Sequence, residues 1–189
     1  MNKHFSNIST HISHIYIADY TEQTRSAQGV EISDTPFDDI QYCTVNNPRN
    51  IECWGVNFEK NRSIFKLEGT KDYAPQCECM IVSKNAHKKS WVCLMELKYC
   101  SEKNVESNSE DAFKQLTNCF DYLKDKGIID LKTHRVYFNI SIPDHSNKQP
   151  FNSFSFSQDR IINLKKTKFV QLLGFNEIKV LNECYLATA

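Results

Sequence analysis

Gln76 to Val82 (QCECMIV) and Ser90 to Tyr99 (SWVCLMELKY) decide how this chain is read. Both runs are rich in strand-favouring residues, and the polar segment Ser83 to Lys89 between them reads as a turn, so together they form an antiparallel hairpin. Side chains alternate faces along a strand. The even positions Glu78, Met80, Val82, Val92, Leu94, Glu96 and Lys98 therefore share one face, and the odd positions Cys77, Cys79, Ile81, Cys93, Met95 and Leu97 form an apolar opposite face. A turn centred near residue 86 sets Glu78 opposite Leu94 and makes Glu78 and Glu96 diagonal neighbours, about 7 to 8 Å apart at the backbone. Glu96 and Lys98 can pair, which leaves Glu78 over on a face of Met, Val and Leu. A buried charge must be paired or bind metal, and carboxylate oxygens suit a divalent cation.

Outward from the hairpin, the pattern extends both ways. A strand apolar on both faces is central, so Ser90 to Tyr99 is expected beneath helices. Ser63 to Leu67 reads as a preceding strand, joined through the turn Gly69 to Asp72. Downstream, Ser107 and Glu110 have capping-box spacing. Ala112, Phe113, Leu116, Cys119, Phe120 and Leu123 recur at helical intervals, and Gly127 closes the element. His134 to Ile142 alternates as a strand, so strand, helix and strand make a right-handed crossover with parallel strands. Phe151 to Phe156 reads as a fifth short strand, Arg160 to Leu173 as a second helix ended by Gly174, and Ile178 to Leu186 as a last strand. The fold class is α/β, a mixed β-sheet with βββαβ order flanked by helices. Residues 1–61 carry less pattern, with His11 to Tyr20 a short strand and Asn46 to Asn50 a loop, and are expected as an extension packed on a 62–189 core, one domain overall.

Composition limits the function classes. The chain has 189 residues, 40% hydrophobic and 24% charged, the balance of a globular domain. Twenty-three basic residues against 23 acidic ones mean that a nucleic-acid partner must be held by a local patch. The five glycines form no GxGxxG, GxxxxGK[ST] or GxSxG, which argues against dinucleotide folds, P-loop NTPases and nucleophile-elbow hydrolases. The first twenty residues lack an apolar h-region and no run is long enough to span a bilayer, so a cytoplasmic protein with no membrane partner is expected. Eight cysteines lie largely inside apolar patterns, where reduced thiols act as small hydrophobes.

Glu78 on the second strand, Glu96-Leu97-Lys98 ending the third, and a following helix with Gln115 resemble the PD-(D/E)xK nuclease superfamily over about residues 62–142, nearest its RecB-like and Holliday-resolvase-like branches. The resemblance implies a restriction-endonuclease-like core and Mg2+- or Mn2+-dependent hydrolysis of phosphodiester bonds, with DNA the expected nucleic acid before RNA. It implies Glu78 and Glu96 as metal ligands, the Leu97 carbonyl as a third, Lys98 as the group that positions and polarises the attacking water, and Gln115 as an accessory polar group. The family's acid near the N-terminus has five candidates here, Glu31, Asp38, Asp39, Glu52 and Glu59, among which the sequence does not choose. The alternative function is a catalytically inactive nuclease-fold subunit or binding module that acts with a larger protein, or as a homodimer.

Other signals are weighed against plainer explanations. Cys77-x-Cys79 with Cys93 and Cys100 reads as core rather than zinc knuckle. His11-x-x-His14 lacks spaced partners, and Phe151, Phe154 and Phe156 fit a half-buried strand better than a base-stacking platform. Lys165, Lys166 and Lys168, with Arg160 before them, form the one basic cluster and are the residues expected to contact substrate phosphates.

Overall fold

The computed structural model describes residues 3–84, 89–145 and 158–188. In chain order these form β1 (Ser9–His11), β2 (Ile15–Asp19), α1 (Tyr20–Thr24), β3 (Val30–Ser33), β4 (Cys43–Asn46), β5 (Cys53–Asn57), β6 (Cys79–Ser83), β7 (Ser90–Leu97), α2 (Val105–Asp125), β8 (His134–Ser141), α3 (Gln158–Lys168), β9 (Val170–Leu173), β10 (Glu177–Asn182) and β11 (Tyr185–Thr188). Two mixed sheets result: a six-stranded one ordered β1-β5-β6-β7-β8-β9 and a five-stranded one ordered β11-β10-β4-β2-β3. In the larger sheet β5, β6 and β7 are antiparallel, while β7, β8 and β9 run parallel. Such parallel pairs need long crossovers, and α2 supplies the first.

All eight residues of β7 are buried. Its even side chains Val92 and Leu94, with Met80 and Val82 of β6, pack against Ala112, Leu116, Cys119, Phe120 and Leu123 of α2. Its odd side chains Cys93, Met95 and Leu97 pack against Ile15, Ile17, Val45, Ile178 and Val180 of the smaller sheet. The expectation of helices over this strand thus holds for one face, and the second sheet covers the other. A continuous apolar run reports burial on both sides without saying what lies there. Each fully buried aliphatic side chain contributes about 1.5 to 3 kcal/mol relative to exposure, so this doubly covered strand anchors the molecule.

Several expected elements are corrected. The first strand of the antiparallel trio is β5, and Arg62–Phe65 is a 3-10 turn rather than part of a strand. Gly55 disguises β5, because glycine weakens a strand pattern. It is needed there, since a Cβ would lie 2.7 Å from Ser9 Oγ and 2.9 Å from His11 Nε2 on the neighbouring β1. The segment before residue 62 therefore supplies two strands of the six-stranded sheet.

The helix expected from Ser107 starts at Val105, and Ser107 Oγ donates to the Asn104 carbonyl instead of forming a capping box. Gly127 does take the left-handed conformation, φ 69°, that ends α2. The second helix stops at Lys168, because β8 offers Val170–Leu173 a strand edge that local periodicity does not reveal. The final strand is a hairpin, β10 and β11, turned at Asn182, whose side chain accepts the Cys184 amide. The strand expected at Phe151 to Phe156 lies outside the described residues.

All eight cysteines are free thiols, six buried and Cys100 and Cys184 half-exposed, so the expectation of reduced core thiols fits six of them. Cys77 leaves the face assigned by parity and joins the α2 side, its Sγ 3.6 Å from that of Cys119, because it precedes the regular part of β6. Among the described residues no helix is long and apolar enough to cross a membrane.

Candidate metal centre

The hairpin register differs from the expected one by two residues: Met80, not Glu78, stands opposite Leu94, and Cys79 stands opposite Met95. A slip of two keeps every side chain on its expected face. Continued by one residue, the pairing sets Glu78 directly opposite Glu96. Glu78 is held just ahead of β6 by its backbone, the amide donating to the Met95 carbonyl at 3.1 Å and the carbonyl accepting from the Phe58 amide at 3.1 Å.

Glu96 is fully buried. Lys98 Nζ lies 2.9 Å from Glu96 Oε1 and 3.4 Å from Glu22 Oε2, so one ammonium bridges two carboxylates. Its own backbone is tied to β8, the Lys98 amide donating to the Ser141 carbonyl at 2.9 Å. Glu96 Oε2 is buried with no side-chain partner among the described residues.

Two further acids complete the cluster. β2 ends at Asp19, whose side chain accepts the amides of Thr21 at 2.9 Å and Glu22 at 3.2 Å and so caps α1. The turn it starts carries Glu22 toward Lys98. One carboxylate oxygen each from Asp19, Glu22 and Glu78 lie within 4.8 Å of one another. Tyr99 braces the corner, its hydroxyl accepting the Asp19 amide at 3.1 Å and donating to the Gln41 carbonyl at 2.8 Å.

Four carboxylates around one ammonium leave a formal excess of three negative charges, and the protonation equilibria respond. Burial, then the charges of Glu96 and Asp19, raises Glu78 well above the usual carboxylate range. Burial raises Glu96 to about 7 against the opposing pull of Lys98. Asp19 and Glu22 are raised too, chiefly by burial. For Lys98, burial would lower the pKa, but Glu96 and Glu22 outweigh it and the ammonium is held more firmly than usual. An all-oxygen donor set with surplus negative charge could hold a hard divalent cation.

The structure thus brings Glu78, Glu96 and Lys98 together as expected and adds Asp19 and Glu22. None of the five N-terminal candidates falls within that 4.8 Å group, although the charge of Glu59 acts on Asp19. Glu31 pairs with Lys60 and Glu52 with Lys84, Asp39 accepts from Tyr20, Glu59 accepts the Val30 amide, and Asp38 is exposed. The missed signal is Asp19-Tyr-Thr-Glu22, an N-cap residue with an acid three positions later, directly after an apolar strand.

Leu97 lies between Glu96 and Lys98 with its side chain in the core against the smaller sheet. Gln115 is half-buried on α2, with no hydrogen bond to the acids among the described residues. The lysines of α3 divide: Lys168 is taken up by an ion pair with Asp121, Lys166 is exposed, and Lys165 lines a cleft elsewhere. No protein-family model, curated protein or solved structure matches this chain.

Proposed function

We propose that this chain is a Mg2+-dependent nuclease that hydrolyses phosphodiester bonds of DNA. The observation that carries the reading is the convergence of Asp19, Glu22 and Glu78 within 4.8 Å, beside a Glu96–Lys98 pair. Support also comes from the order β5-β6-β7-α2-β8, which resembles the βββαβ core of the PD-(D/E)xK superfamily.

In this reading Asp19, Glu22, Glu78 and Glu96 hold the divalent cation. Bound there, the cation supplies positive charge against the phosphate oxygens and the leaving alkoxide and lowers the pKa of a nearby water. Lys98 positions and polarises the attacking water, and its firmly held ammonium adds charge complementary to the pentavalent phosphate. Glu22 holds Lys98 in place together with Glu96. Gln115 serves as an accessory polar group on α2.

A second reading is favoured by one observation: Glu96 is fully buried and engages Lys98 directly, the arrangement of a closed salt bridge in an inactive subunit. One experiment separates them. Labelled DNA is incubated with Mg2+ or Mn2+, with EDTA as control, using wild type, Glu78→Gln and Glu96→Gln. Metal-dependent cleavage by wild type and at least 100-fold loss in both variants, with intact thermal transitions, is expected. Cleavage that survives both substitutions, or none with either metal, removes the nuclease reading in favour of the inactive subunit.

A further inference from the structure

We propose that a cleft at the opposite end of the β7–β8 pair binds single-stranded DNA, with Lys89, Lys132, Arg135 and Lys165 on its phosphates and Phe169 stacked on a base. The cleft has a volume of about 500 Å3, and neither Asp nor Glu lines it. None of these four cations has an ion-pair partner among the described residues, whereas Lys168 on the same helix as Lys165 is paired with Asp121. Their charge is therefore available to an anion.

Arg135 adds a second feature. Its guanidinium lies over the Tyr185 ring, 4.2 Å from the centroid. A planar cation braced on a ring loses little freedom when it meets a phosphate.

Phe169 decides what kind of polyanion fits. It is 69% exposed and, directly after Lys168, adopts φ 57°, the left-handed conformation in which helices commonly end. An exposed ring among unpaired cations is the arrangement that grips a single strand, because every unpaired base offers a face for stacking while a duplex keeps its base faces internal. Lys89 precedes β7 by one residue and Glu96 lies seven residues farther along, so cleft and acidic cluster are about 20 Å apart along the strand.

The proposal names the form of the substrate for the site above, and to that extent rests on that reading. Binding is therefore measured where hydrolysis cannot occur. Fluorescence anisotropy with a labelled single-stranded oligonucleotide of about 15 nucleotides is recorded in EDTA over a salt series. Wild type should bind, and Phe169→Gly should weaken binding about 5- to 100-fold. Glycine adopts a left-handed φ readily, so that weakening would not come from unfolding. Lys132→Ala with Lys165→Ala should flatten the logarithmic salt dependence by about 0.7 for each phosphate that is no longer neutralised.

No binding by wild type overturns the proposal, as does equal binding by the lysine double variant. An unchanged affinity in Phe169→Gly, or a duplex of the same length bound as tightly, overturns the single-strand assignment. Binding that behaves as expected in a protein that never cleaves DNA with Mg2+ leaves the cleft standing and removes the nuclease, and cleavage without cleft-dependent binding does the reverse.

Discussion

At one end of the β7–β8 pair Glu96 is fully buried and interlocked with Lys98, which is itself only 12% exposed and also reaches Glu22. At the other end Lys89, Lys132, Arg135 and Lys165 face an open cleft with no carboxylate in its lining. The same two strands thus carry charge in two regimes. Buried charge is coupled to folding, because each ionisation must be compensated inside the protein, whereas solvated charge mainly influences association. The difference predicts which substitutions change stability and which change only binding.

The largest expected effect is at Lys98. Lys98→Met leaves Glu96 without its counter-charge and should cost about 3 to 5 kcal/mol in EDTA at pH 8, read from denaturant unfolding. A Lys98→Met midpoint indistinguishable from wild type would remove the buried end from the comparison.

Acidity gives the next effect. Burial pushes Glu96 up to about 7 in the folded chain against 4.5 ordinarily, so the folded state favours the extra proton between those values. A raised folded pKa contributes stability that is complete below the unfolded pKa and is lost as pH rises through the folded one. The metal-free protein should therefore be more stable at pH 5 than at pH 8, and Glu96→Gln should flatten that slope. A melting temperature that rises from pH 5 to pH 8 in EDTA contradicts this account.

Metal sharpens the contrast further. Mg2+ at about a hundred times its dissociation constant should stabilise wild type by about 2.7 kcal/mol at pH 8, and Glu78→Gln should lose most of that gain. Lys165→Ala should keep the whole of it. Equal Mg2+ responses in all three proteins would place the cation somewhere other than among Asp19, Glu22 and Glu78. The smallest effect belongs to the open cleft, where Lys132→Ala and Lys165→Ala should each move stability by no more than about 0.5 kcal/mol. A cost of several kcal/mol there would show that these lysines are structural.

Legibility in the sequence followed the range over which each signal acts. The faces of β6 and β7, and with them Glu78, Glu96 and Lys98, could be read because alternation is a local property that survives a two-residue error in register. The smaller sheet could not, since β4 finds β10 about 130 residues later and neither strand carries that pairing in its own pattern. Capping spacing was an uneven guide. At Ser107 it marked no helix start, whereas at Asp19 and Glu22 it marked both a helix start and two of the four acids. A five-residue helix has too few turns for apolar periodicity to announce it, so only the cap was visible.

That short helix has a consequence for how occupancy of the site can be followed. Isolated helices of this length do not hold together in water, and the amides of Thr21 and Glu22 are sheltered by the Asp19 carboxylate alone. A cation that draws on the same carboxylate, and on Glu22 beyond it, ties the first turn to β6 and suppresses its local opening. Deuterium uptake at these two amides then becomes a gauge of cation binding at the resolution of single residues, while the amides of the fully buried β7 provide the internal standard.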